Sequence, residues 1–252
     1  MNSNVWLPLT EPLQASRDTV HVVRLTLEAD DYQLERLKML LSSDESARAD
    51  RYKVPLPRRH FIICRAILRL LFGECLGCNP RDVEFDYGPH GKPDLRQTSA
   101  HKLRFSVSHS ANQALIATTL DRSIGVDIER IDPGVRILKL AQRFFSSREA
   151  TELSTLDERD QLAGFFQGWT SKEAYLKATG FGLSFPLNRF SVSLNPHQPA
   201  RLIEVVDQPT ELTRWHLLRL DPLPGFAAAI MLDSCGDSVN LQQWTVEPGL
   251  LA

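Results

Sequence analysis

Ser123-Ile124-Gly125-Val126-Asp127-Ile128-Glu129-Arg130-Ile131 is the stretch on which the fold turns. Ile124, Val126 and Ile128 alternate with Gly125, Asp127 and Glu129, the period of a strand with one buried face. Residues i and i+2 of a strand share a face, so the carboxylates of Asp127 and Glu129 stand side by side. Like charges at that spacing repel unless a cation sits between them. An isolated Asp-x-Glu on a strand is ordinarily just its solvated face. Here the apolar residues on either side of both acids argue for more.

About forty residues further on stands Trp169-Thr170-Ser171-Lys172-Glu173, followed by Lys177. Glu173 and Lys177 are four apart in a helical pattern and share a face. Such a pair is usually a surface ion pair of little weight. This one lies among Phe165, Phe166, Trp169, Tyr175 and Leu176, too apolar a set for an exposed helix. Three carboxylates and a lysine in one pocket describe a hard-cation site with a phosphate beside it.

Upstream of the acidic strand, Val20 to Leu27 alternates as a strand, and Asp31 to Leu41 carries Leu34, Leu37 and Leu41 on one helical stripe. Ser42-Ser43-Asp44-Glu45 starts a second helix. Pro55 and Pro57 interrupt, and a long helix is expected from about Arg58 to Leu76, capped by Gly77. Val83 to Tyr87 reads as a strand, and Gly88-Pro89-His90-Gly91-Lys92-Pro93 as a turn. Leu103 to Ser108, Gln113 to Thr119 and Ser123 to Ile131 follow as three strands, antiparallel by their short connections. Downstream, helix is expected over Val135 to Thr155, broken near Ser146-Ser147. A second helix spans Asp157 to Thr179, ended by Gly180 and Gly182. Strands near Phe190 to Leu194, Trp215 to Leu220 and Phe226 to Leu232 close the chain. The second half roughly repeats the first. The expectation is an α+β chain of two similar lobes, residues 1–121 and 122–252, with the acidic pair just past the boundary, where a site between lobes is common.

The 252 residues are 42% hydrophobic, enough for a sizeable core. A formal net charge of −2 argues against a protein that coats nucleic acid, though not against a local basic patch. Cys64, Cys75, Cys78 and Cys235 make no disulfide framework, and Cys75-x-x-Cys78 lacks the second pair that zinc would need. Reduced thiols and a cytoplasmic location are expected. Met1 to Asp18 has neither the basic nor the apolar region of a signal peptide, and no apolar run reaches membrane-spanning length.

Seven basic residues, Arg48, Arg51, Lys53, Arg58, Arg59, Arg65 and Arg69, fall in one short segment that only Asp50 opposes within its limits. They read as a solvated face or as a wall for phosphate, whose oxygens match arginine forks. Lys92, in its Gly/Pro turn, fits the second use. No aromatic interleaving accompanies these charges, and no nucleic-acid motif appears. Phe105-Ser106-Val107-Ser108-His109-Ser110 ends a strand in Ser-His-Ser. Neighbours on a strand point to opposite faces and no nucleophile elbow is present, so this is not a nucleophile and its base. A histidine with two hydroxyls suits an anion better.

Taken in order, Gly91-Lys92-Pro93, Phe105 to Ser110, Gly125 to Glu129 and Trp169 to Lys177 resemble the motifs of the Sfp-type 4′-phosphopantetheinyl transferases, over about residues 40–195. The chain departs from the pattern in two places. It has Ser106 where many members have Asn, and it is proline-rich at Val54-Pro55-Leu56-Pro57. The resemblance implies a pseudo-twofold α+β fold of two lobes with coenzyme A between them. It implies Mg²⁺ held by Asp127, Glu129 and Glu173, with Glu173 also the base for an incoming serine and Lys177 supporting the leaving phosphate. Arg48, Lys92, Ser108 and His109 would contact the 3′-phosphate of the coenzyme, with Gly91 and Pro93 framing the turn beside it. The implied reaction moves 4′-phosphopantetheine from coenzyme A to a serine of an acyl or peptidyl carrier protein and releases 3′,5′-ADP. A monomer is expected, with no nucleic-acid or membrane partner. A catalytically silent coenzyme-A-binding relative is the alternative, and it would be expected to have lost one of the four cluster residues, all of which are present. Another Mg²⁺-dependent nucleotide enzyme lacks its phosphate loop here.

Overall fold

Val20 and Val22 face one way along the strand Thr19–Thr26 (β2), Val23 and Leu25 the other, and all four are buried. A strand with two apolar faces needs a layer on each side, and this one has them. The computed structural model describes residues 5–88, 91–182, 185–234 and 237–247. The first half holds β1 (Leu7–Pro8), β2, α1 (Asp31–Lys38), α2 (Ser43–Asp50), α3 (Pro55–Leu76), β3 (Phe85–Tyr87), β4 (Pro93–Leu95), β5 (Leu103–Ser110) and β6 (Gln113–Leu120). The second holds β7 (Ile124–Arg130), α4 (Ile137–Phe144), α5 (Ser147–Thr155), α6 (Glu158–Thr179), β8 (Phe190–Val192), β9 (Leu202–Val205), α7 (Glu211–Arg214), β10 (Trp215–Leu220), β11 (Phe226–Asp233) and β12 (Asn240–Val246).

The larger sheet has the order β1-β12-β2-β6-β5 and the second the order β10-β11-β7. Val23, Leu25 and Leu27 pack against α3 residues Ile63, Ile67 and Phe72. Val20 and Val22, with Leu115 and Ala117 of β6, meet Ile124, Val126 and Ile128 of β7 and Ile230 of β11 in a core between the two sheets. Phe165, Tyr175 and Leu176 of α6 bury against Ala229 and Met231 on the far face of the second sheet. The layers run α3, sheet, sheet, α6, an α+β architecture. The helices α3 and α6 are both 22 residues long, and each ends at a left-handed glycine, Gly77 at φ 66° and Gly180 at φ 75°. Only glycine adopts that conformation without strain.

Four expectations change. The long helix begins at Pro55 rather than Arg58, because a first-turn proline forfeits no hydrogen bond and its φ is already helical. α1 stops at Lys38, short of Leu41. The three central strands do not form one meander. β5 and β6 pair antiparallel, whereas β7 leaves to pair with β11, burying its apolar face between the sheets. β9 and β12 were not foreseen. β12 pairs parallel with β2 inside the first sheet, so the end of the chain crosses back over the expected lobe boundary. The break before Ser147 and the strands near Trp215 and Phe226 stand where the pattern put them. Pro89 and His90 of the expected turn, Met1 to Asn4, and Cys235 lie outside the described residues. Cys64, Cys75 and Cys78 are free thiols. Among the described residues no helix is long and apolar enough to cross a membrane.

Candidate active site

The site begins with a contact between backbones. A Cβ on Gly125 would lie 2.0 Å from the carbonyl oxygen of Ala174 and 2.4 Å from the amide nitrogen of Ala178. Only glycine lets α6 rest directly on β7 there. Two residues further along that face is Asp127, and α6 lays Lys177 over it. The Lys177 ammonium donates to Asp127 Oδ1 and to Ser108 Oγ, both at 2.7 Å.

The strand edges of β5 and β7 carry no backbone ladder between them in either sheet's order. Serines at i, i+2 and i+4 of β5 bridge the gap instead. Ser106 Oγ accepts from the Val126 amide at 3.1 Å. Ser108 Oγ donates to Asp127 Oδ1 at 2.7 Å, and Ser110 Oγ donates to Glu129 Oε2 at 2.7 Å while accepting from the Arg130 amide. The Ser-His-Ser segment thus orients the two strand carboxylates. Sequence reading missed this, although the alternate-residue spacing of the serines was there to be read.

Asp127 is 3% exposed, and its Oδ2 is buried with no hydrogen-bond partner among the described residues. Burial holds the Glu173 carboxyl above the ordinary glutamate range, and the charges of Asp127 and then Glu129 push it further, against the pull of Lys177. Glu129 is likewise raised by burial, with Asp127 adding to the shift and Ser110 opposing it. Among the described residues no three His, Cys, Asp or Glu groups are already gathered as a metal cage. In this arrangement the cation on Asp127 is Lys177. The donor set still fits a hard divalent cation: three neighbouring carboxylates, with the Asp127 charge raising the pKa of both glutamates, and one orphaned buried carboxylate oxygen.

Gly91, Lys92, Pro93, Glu173, Lys177 and Gly180 line a cavity of about 520 Å³. Pro93 and Val107 also border a second cavity of about 410 Å³, which Tyr52, His60, Phe61, Arg65 and His109 line. His109 is exposed at that rim. Desolvation by its neighbours first, and the Lys177 charge second, hold its imidazole below the usual value. Arg48 is exposed, its guanidinium 5.2 Å from the Phe61 ring centroid and 6.0 Å from that of Tyr87. Lys92 donates to the backbone carbonyls of Lys177, at 2.5 Å, and Ile124, at 3.3 Å.

The basic segment is not a continuous wall. Arg65 and Arg69 are buried on Glu45, at 3.4 and 2.7 Å, and Arg69 also donates to the carbonyls of Pro80 and Arg81. Arg58 pairs with Asp50 and Arg59 with Asp31. Glu45 and Asp31 lie outside the stretch counted as unopposed, so a tally by segment missed them. Lys172, next to Glu173, is fully buried. Its ammonium sits 2.7 Å from Glu149 and donates to the Phe190 carbonyl at 2.6 Å. Glu149 in turn receives the Ser146 and Val192 amides. This links α6 to α5 and β8 behind the site.

Comparison with known proteins gives two family matches. Residues 123–231 match the 4′-phosphopantetheinyl transferase superfamily, and residues 28–121 match the 4′-phosphopantetheinyl transferase N-terminal family. Among curated relatives, the 4′-phosphopantetheinyl transferase HetI of Nostoc sp. (strain PCC 7120) is 40% identical over 237 residues, covering 94% of this chain and 97% of that protein. The 4′-phosphopantetheinyl transferase psf-1 of Bacillus pumilus is 32% identical over 170 residues, covering 68% and 71%. The 4′-phosphopantetheinyl transferase Sfp of Bacillus subtilis (strain 168) is 27% identical over 197 residues, covering 78% and 84%. Matches of that extent, on a chain whose motifs converge on one cleft, place it in the 4′-phosphopantetheinyl transferase superfamily.

Proposed function

We propose that this chain transfers 4′-phosphopantetheine from coenzyme A to a serine hydroxyl of an acyl or peptidyl carrier protein, releasing 3′,5′-ADP. One observation carries the reading: Glu173 and Lys177 line a cavity between the packed halves of the molecule, and Lys177 bonds Asp127, with Glu129 close enough for its charge to act on Glu173. The serine oxygen bonds to the β-phosphorus of the pyrophosphate as the bridging oxygen departs with the nucleotide. Serine is too weak an acid to ionise unaided near neutral pH. Glu173 receives its proton, and a carboxylate with a raised pKa is the better acceptor. Lys177 stabilises the charge that develops on the departing phosphate. Asp127, Glu129 and Glu173 would hold Mg²⁺, which when bound neutralises pyrophosphate charge. Asp127 and Glu129 are kept in place for this by the hydroxyls of Ser108 and Ser110.

Arg48 and His109 are proposed contacts for the 3′-phosphate; His109 lines the second cavity, and Arg48 sits over the ring of Phe61, which also lines it. Ser108 and Lys92, assigned to the same phosphate by motif, already hold protein partners. Gly91 and Pro93 shape the cavity wall. The same reading takes residues 1–121 and 122–252 as the two lobes and the enzyme as a cytoplasmic monomer, in keeping with the free thiols at Cys64, Cys75 and Cys78. The test is mass spectrometry of a carrier domain incubated with the protein, Mg²⁺ and coenzyme A. A mass gain of one phosphopantetheine on the carrier serine, with 3′,5′-ADP formed, is expected. Coenzyme A bound but never consumed would identify a silent relative instead.

A further inference from the structure

A helix leaves its last-turn carbonyls short of intrahelical donors, and a cation at that end also meets the negative pole of the helix dipole. Lys177 lies in the last turn of α6, and its carbonyl receives the Lys92 ammonium at 2.5 Å. The same ammonium donates at 3.3 Å to the carbonyl of Ile124, at the start of β7. Lys92 therefore spans the two elements that carry the catalytic groups. It does so beside Gly125, where α6 and β7 already touch through their backbones. The side chain of Lys177, whose carbonyl Lys92 holds, is the one that reaches Asp127 at 2.7 Å.

We infer that Lys92 is a positioning residue that ties the end of α6 to β7 and so fixes Lys177 against Asp127, and that it is not a ligand of the nucleotide 3′-phosphate. This rests on the transfer reaction proposed above. Two of the three donors of the ammonium are committed to backbone oxygens, and a full phosphate contact would take them away from α6. The dependence is one-way: without Lys92 the phosphate site at the second cavity is intact, while the α6 end is free to shift.

The experiment uses the full chain with Lys92→Met, which keeps the apolar stem, and Lys92→Arg, which keeps the charge on a head too broad to seat between the two carbonyls. Calorimetry gives the affinities for coenzyme A and for dephospho-coenzyme A. Rapid quench gives the single-turnover rate of transfer to a carrier domain at saturating coenzyme A. Displacements near an ångström in a reacting group cost up to about a hundredfold in rate. Both variants should therefore transfer about ten- to a hundredfold more slowly, with the preference for coenzyme A over dephospho-coenzyme A within about twofold of wild type. A preference that collapses in Lys92→Met and is restored in Lys92→Arg would make Lys92 a phosphate ligand and overturn the inference. So would rates within about twofold of wild type. Should Lys92→Met fail to fold, Lys92→Arg alone decides: wild-type rate contradicts the clamp, and slow transfer with unchanged preference supports it. A wild-type protein that transfers nothing would overturn the reaction, while the two affinities would still report whether Lys92 contacts the phosphate.

Discussion

His109 shows how a single residue can report its ligand. Its imidazole is held below the usual value by desolvation and by Lys177, so it is largely neutral in the free protein at neutral pH. A bound 3′-phosphate favours the charged form and raises that pKa. Coenzyme A binding should then take up a proton, and affinity should fall as pH rises between the free and bound pKa values. Calorimetry in two buffers of different ionisation enthalpy should show this uptake for coenzyme A. It should be much smaller for dephospho-coenzyme A and for His109→Ala. Loss of the phosphate should weaken binding roughly ten- to a hundredfold, the equivalent of one charge-assisted contact of ~1.5–3 kcal/mol. Proton uptake unchanged in His109→Ala would move the phosphate away from this histidine.

Among elements, α6 carries the most consequence. Its front presents Glu173 and Lys177 to the cavity, and its back buries Lys172 against Glu149 and the Phe190 carbonyl. Burial pushes the Lys172 ammonium down to about 8, with Glu149 opposing the shift. Removing one partner of such a pair strands the other charge in the core. Lys172→Met should cost about 3–5 kcal/mol in denaturant unfolding, and adding Glu149→Gln should recover much of it. A single variant as stable as wild type would mean that the pair does not hold α6 to α5 and β8. Elements were unequally legible in the sequence. α6 and β7 were plain, because an apolar-rich helical run ended at Gly180 and an alternating strand run began before Ile124. The start of α3 was misplaced, since a proline pair reads as a break when the first turn is not considered. β12 escaped because Leu241-Gln242-Gln243-Trp244 alternates weakly; its parallel pairing with β2 depends on a partner more than two hundred residues away.

Across the whole molecule, two packed sheets, each backed by a 22-residue helix, bring together residues from four separate motifs. The α+β class and the carboxylate–lysine cluster were readable from order and spacing. The alternate spacing of the β5 serines was there to be read as well; the groups on β7 that they bridge to were not, because that seam exists only once the two sheets meet. Nor was the pairing of the basic segment with Glu45 and Asp31, which needed α1 and α2 docked on α3. The central claim is that this assembled cluster moves a proton and stabilises a departing phosphate. It is tested most directly by the single-turnover rate of phosphopantetheine transfer to a carrier serine, at saturating coenzyme A and Mg²⁺, for wild type and Glu173→Gln. Glutamine keeps an oxygen for the metal but cannot accept the serine proton. The variant should bind coenzyme A as wild type does and transfer about 10²–10⁴-fold more slowly. A Glu173→Gln protein that transfers within a few-fold of wild type would contradict the account.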